Sequence, residues 1–139
     1  MQLILSNKTD NFLKVTIFPK KELPYSVFKY SERDRNVFID TTFILNSGSE
    51  KCLYVSIFRH EIPSVLATDI FDSIRIIRND GVRIKFSSGS VEGYMENLFS
   101  PNAEWIYSKK DYVENKFLDN QPVESYDYRF MVSTDKFEN

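Results

Sequence analysis

The chain has 139 residues, 42% of them hydrophobic and 27% charged, with a net charge of −2. That suits one globular domain over residues 1–139, large enough to bury a core without metal or disulfide, and it argues against a general nucleic-acid binder, which needs surplus cations to displace counterions. Cys52 is alone, which excludes an internal disulfide, and no apolar run approaches the roughly 18 residues of a membrane span.

Residues 2–6 (QLILS) predict a short strand, and Asn7-Lys8-Thr9-Asp10-Asn11 a polar turn. Asn7-Lys8-Thr9 matches the glycosylation sequon, but its place between two apolar segments favours the turn. Residues 12–18 (FLKVTIF) alternate, with Leu13, Val15 and Ile17 on one side and Lys14 and Thr16 on the other, until Pro19 ends the strand. A polar loop follows over 20–35, with room for an edge strand at 25–30 and a charged knot at 31–35 (SERDR). Residues 37–45 (VFIDTTFIL) are β-like, 46–50 (NSGSE) are turn-rich, and 52–58 (CLYVSIF) are apolar on both faces, as in a central strand. Residues 59–69, around Pro63, predict a connection.

The stretch SIRIIRNDGVRIKF (73–86) predicts a hairpin whose register can be derived. A two-residue Asp-Gly loop would set Ile76 against Lys85 and Ile77 against Ile84. A three-residue loop, Asn79-Asp80-Gly81, pairs Ile76 with Ile84, Ile74 with Phe86 and Arg75 with Lys85. Only the second gathers Ile74, Ile76, Ile84 and Phe86 on one face, and it suits a type I turn closed by Gly81 at positive φ. Arg75 and Lys85 then stand directly opposite each other, which costs some tenths of a kcal/mol. A carboxylate on a neighbouring strand or an anionic partner would relieve it.

Val91, Tyr94, Met95, Leu98 and Phe99 recur at helical spacing, so a short helix is expected over 91–99, capped by Ser90 and closed by Pro101. The single Trp105 opens another apolar stretch, and 111–118 is ambiguous between helix and strand. Residues 126–133 (YDYRFMVS) alternate, with Tyr126, Tyr128, Phe130 and Val132 opposite Asp127 and Arg129. The last residues, 134–139, are expected to fray. About seven strands and one short helix make an all-β fold, an antiparallel immunoglobulin-like β-sandwich.

Catalytic patterns are scarce. His60 is the only histidine, and eight residues from Cys52 on an extended chain it lies roughly 26 Å away. Triads and most zinc sites need more. Asp69 with Asp72 and Glu32 with Asp34 bring no polar constellation, and Asp69-x-x-Asp72 reads as a turn cap before the hairpin. Four glycines leave no phosphate cradle. No catalytic residue, cofactor or metal is expected. The candidate contact residues are Arg75, Arg83 and Lys85 on the hairpin, with Trp105 and Tyr107, beside Tyr112, as an aromatic platform.

ILSNKTDNFLKVTIF (4–18), FILNSGSEKCLYVSIF (43–58) and DSIRIIRNDGVRIKF, followed by Trp105 and a Tyr-rich strand, resemble in order a group of small exported lipoproteins of unknown function from Gram-negative gut bacteria. The resemblance implies an immunoglobulin-like sandwich of the cell envelope with a binding or structural role. It supplies no catalytic residue, and the lipid-attachment cysteine is missing before Ile4. The opening MQLILSNKTDN lacks the features of a signal peptide. That leaves a cytoplasmic location, or the periplasm or cell surface after signal removal.

The expected role is therefore non-catalytic, acting through contacts with a protein partner. The alternatives are an inhibitor or immunity protein of a secreted enzyme, suited by the charges at 31–35 and 111–120, and a subunit of a phage or secretion assembly joined through strand edges.

Overall fold

The computed structural model describes residues 1–20, 41–55, 62–112 and 123–138, with the backbone alone at 41, 110–112 and 123–125. The expected edge strand at 25–30, the knot at 31–35, His60, the ends of two strands (37–40 and 56–58) and 113–120 lie outside these residues. The described strands are β1 (Gln2–Asn7), β2 (Leu13–Pro19), β3 (Thr41–Leu45), β4 (Glu50–Val55), β5 (Phe71–Arg78), β6 (Arg83–Ser87), β7 (Ser90–Glu92), β8 (Trp105–Tyr112) and β9 (Val123–Val132). Helix α1 (Pro63–Ile70) precedes β5, and a 3-10 turn (Thr134–Lys136) follows β9.

Two sheets form, ordered β4-β1-β9-β8 and β3-β2-β5-β6-β7. Neighbours are antiparallel except β1 and β9, which run parallel. Alternation along each strand turns one apolar set inward. Leu3, Leu5, Leu53 and Phe130 from the first sheet and Leu13, Val15, Ile74, Ile76, Ile84 and Phe86 from the second belong to one buried cluster. The fold is an all-β sandwich of two antiparallel-rich sheets.

Asn7 ends β1 and is fully buried. Its Oδ1 accepts from the Thr9 backbone N–H at 2.9 Å and the Thr9 hydroxyl at 2.7 Å. Its Nδ2 donates to the carbonyls of Asn11 at 2.7 Å and Leu45 at 2.9 Å. Its backbone N–H donates to Ser49 O, and its carbonyl accepts from the Gly48 N–H. One side chain thus shapes the β1–β2 turn and ties it to the end of β3. The sequon is a turn, as expected, and its amide nitrogen is committed to two carbonyls.

The structure corrects several expectations. The short helix lies at Pro63–Ile70, where a connection was expected. Pro63 suits a first helical position because its φ is preset and its missing N–H would be unpaired there anyway. The helix passes directly into β5, so Asp69 and Asp72 cap no turn. The segment 91–99 is not helical. It forms β7, a hairpin partner of β6, then turns. Gly93 has φ +80°, which ends any helix there, and Met95 on the supposed buried stripe is 67% exposed. Among the described residues, β4 stands at the end of its sheet rather than at the centre. A register shift opposite Leu3 and Ile4 buries both Leu53 and Tyr54 and leaves Val55 46% exposed, which mimics a strand covered on two sides.

The C-terminal residues are tied down rather than frayed. Phe137 is buried, bridges to Tyr94 and stacks edge-on against its ring at 5.5 Å. Tyr94 also meets Phe86 edge-on, and Phe86 meets Phe130. Such pairs contribute about 0.5–1.5 kcal/mol each beyond burial. The Tyr94 hydroxyl donates to Met131 O at 3.1 Å and accepts from the Ser133 N–H at 3.0 Å. Burial raises its pKa above the usual phenol value.

Two substitutions test this frame. Asn7→Ala leaves buried carbonyls and a buried N–H without partners and should cost at least about 2 kcal/mol in urea unfolding. Gly93→Ala would drive a Cβ into the Arg83 carbonyl oxygen, whereas at Gly81 the same Cβ meets nothing within 4 Å. Gly81→Ala should therefore cost about 1 kcal/mol of backbone strain, and Gly93→Ala clearly more in the same assay.

Candidate functional site

The hairpin takes the three-residue loop. The Arg78 N–H donates to Val82 O and the Gly81 N–H to Arg78 O, each at 2.8 Å, and Gly81 has φ +91°. Ile76 pairs with Ile84, Ile74 with Phe86 and Arg75 with Lys85. The four apolar side chains are buried, while Arg75, Arg83 and Lys85 are exposed.

Register across the whole sheet arranges its outer face in rows. One row runs Thr42, Thr16, Arg75, Lys85, Glu92 from β3 to β7. The next runs Ile44, Lys14, Ile77, Arg83. A third holds Phe18, Ser73, Ser87 and Ser90. Thr16 and Thr42 hydroxyls lie 3.1 Å apart. The Arg75 guanidinium sits 5.1 Å above the Phe18 ring. Ile44 is 54% exposed, and Ile77 and Phe18 are half-buried. Arg75, Arg83, Ile84, Lys85 and Glu92 line an open depression of about 300 Å³.

These cations differ from others in the molecule. Arg78 stands in the inward-pointing series of β5, its guanidinium 4.6 Å from the Phe137 ring, and grips Asp80 at 2.7 and 2.8 Å. Its hydrogen bonds hold the Asp80 carboxyl down at about 2. Arg129 grips Glu50 at 2.9 and 3.2 Å, reaching across β1, and donates to Ser108 at 2.6 Å. Lys136 pairs with Glu96 at 2.8 Å. Among the described residues, Lys14, Arg75, Arg83 and Lys85 make no ion pair. Glu92 is the cross-strand neighbour of Lys85 but stays outside pairing distance.

Trp105 and Tyr107 do not join this face. They lie on β8 of the other sheet, on the side that carries Phe130 and Tyr128. Trp105 packs on Phe130 at 5.5 Å and donates its indole N–H to Leu98 O at 3.1 Å, so it is anchored to the margin of the core. Tyr107, 49% exposed, stacks on Tyr126 at 6.1 Å and leans on Tyr128 at 5.3 Å. The Tyr112 side chain lies outside the described residues.

Lys14, Phe18 and Glu92 belong to the face and were not among the expected contact residues. Lys14 and Phe18 could have been placed there once β2 was seen to flank the hairpin. Glu92 was hidden by the helical reading of 91–99. Cys52 is exposed on β4. Among the described residues, no group of three or more His, Cys, Asp or Glu is placed to hold a metal ion, and no helix is long and apolar enough to cross a membrane.

The fold and its face define a two-sheet β-sandwich with a cationic outer surface. Comparison with protein-family models, curated proteins and solved structures finds no match to the chain.

A double-mutant cycle with Arg75→Thr and Lys85→Thr should give a coupling free energy of repulsive sign, about 0.2–1 kcal/mol at low salt. It should shrink towards zero in about 1 M salt. A coupling near zero at low salt in urea unfolding would mean that the two charges are neutralised by something else, and an attractive one that a shared anion bridges them.

Proposed function

We propose that this β-sandwich is a non-catalytic binding module whose outer β3-β2-β5-β6-β7 face engages an acidic protein partner. The observation that carries this reading is the direct apposition of Arg75 and Lys85, with Arg83 and Lys14 in the adjoining row. The core demands that register, and the register forces like charges together. An anionic partner would turn the repulsion into attraction from several cations at once. Ile44, Ile77 and Phe18 lie among the cations and offer apolar area, which suits a protein partner better than a purely ionic one.

The immunoglobulin-like relationship and an envelope setting remain part of this reading, supported by the two-sheet architecture and the segments of the resemblance. An inhibitor of a secreted enzyme and a subunit of a larger assembly are particular forms of the same contact-based role.

The test is an affinity capture from the native cell with the wild-type chain and with Arg75→Glu/Lys85→Glu, read by mass spectrometry. The expected result is a defined partner retained by the first and lost by the second at physiological salt. Equal retention by a variant that is still folded would return the face to a solvated surface.

A further inference from the structure

The spacing of this face goes further than its charge, and the following step rests on the reading above. Along β6 the outward positions are Arg83, Lys85 and Ser87, two residues apart. A strand repeats side-chain direction every two residues, so these positions follow one another at about 6.8 Å. Arg75 flanks Lys85 on β5, and Lys14 lies in the row of Arg83, two strands away. The third position carries a hydroxyl: Ser87 Oγ is 2.9 Å from Ser90 Oγ. The β6 track is thus cation, cation, hydroxyl, at strand pitch.

We infer that the preferred occupant is an extended acidic segment of a protein, with carboxylates at alternate residues, lying along β6. An extended chain repeats at the same pitch as β6 and stays in step over three rows. A helix advances about 5.4 Å per turn and falls behind by about 1.4 Å at each row. In the extended arrangement one carboxylate meets Arg83, and the next meets Lys85 and Arg75. The third reaches the Ser87 and Ser90 hydroxyls. Glu92, opposite Lys85 on β7, repels a segment displaced towards that edge and so favours the β2 side. Ile77, between Lys14 and Arg83, gives the methylene groups of those acidic side chains an apolar contact.

The test titrates the whole chain, followed by NMR, with two capped eight-residue peptides of equal composition. One alternates Glu and Thr; the other has Glu-Glu-Thr-Thr blocks. A sulfated oligosaccharide of similar charge is the third probe. The alternating peptide should shift the signals of Arg75, Arg83 and Lys85 and bind at least about fivefold more tightly than the block peptide. Arg83→Glu should weaken it by about tenfold or more, while Lys8→Glu, a charge reversal on the exposed β1–β2 turn, should leave it unchanged. Equal binding of the two peptides, shifts confined to other surfaces, or tighter binding of the oligosaccharide overturns the inference. Loss of the native partner in Arg75→Glu/Lys85→Glu without preference between the peptides rejects the extended segment alone. Retention of that partner rejects the functional reading itself.

Discussion

Gly81 stands at φ +91°, and the three-residue loop it closes decides on which side of the sheet every side chain of β5 and β6 stands. With one residue fewer in the loop, Ile76 would face Lys85, and one of them would be misplaced. With the observed loop, Ile74 and Ile76 pair with Phe86 and Ile84, and on the other flank with Ile17 and Val15. Three strands share one inward face through that register. The same alternation leaves Arg75, Arg83, Lys85 and Lys14 no direction but outward, because a strand has only two faces. The cationic surface is thus a consequence of core packing and of which residues fill the alternate positions.

The rest of the sandwich is closed without help from that surface. At one end Asn7 saturates its amide with four hydrogen bonds and ties the β1–β2 turn to β3. Near the C-terminus, Tyr94 links the segment after β7 to the end of β9 through its hydroxyl, and Phe86, Phe130 and Phe137 pack around the aromatic cluster. Arg129 braces β4, β9 and β8 on the far side of the other sheet. Each brace is a buried or partly buried polar group with its partners in place, where loss of one partner leaves the other desolvated. None of them uses Arg75, Arg83 or Lys85. Substitutions on the face therefore test the proposed contact without removing any of these braces.

Much of this architecture was legible in the chain. The alternation of FLKVTIF placed Leu13, Val15 and Ile17 inward, and YDYRFMVS turned Phe130 and Val132 to the core. The hairpin was legible to the residue because turn chemistry and side-chain pattern agreed on one register. The helical reading of 91–99 failed because Tyr94, Leu98 and Phe99 are buried at helical spacing by chance, through turns and a bridge rather than one face. Gly93 carried the opposing signal: its positive φ and its tight approach to the Arg83 carbonyl belong to no helix. The parallel pairing of β1 with β9 left no local trace, since it joins opposite ends of the described chain. That Trp105 and Tyr107 stand on the other sheet from the cations left no local trace either. Sequence distance does not say which sheet, or which side of it, a strand will occupy.

The chain has 20 acidic residues against 18 lysines and arginines, so the unpaired row does not reflect a shortage of carboxylates. Arg78 secures one, and Arg129 and Lys136 two each, where the fold needs a brace. Leaving Arg75 opposite Lys85 costs only some tenths of a kcal/mol at an exposed position, small beside the roughly 5–15 kcal/mol stability of a domain. The return depends on range. At physiological ionic strength the screening length is about 8 Å, close to the spacing between the two cationic rows. Cations in both rows therefore act together on a group seated on the face, but barely on one several screening lengths away. With a net charge of −2 the whole molecule does not draw acidic proteins towards it. A partner of the proposed kind would then be discriminated at contact, where the pitch of the rows would matter as much as their sign.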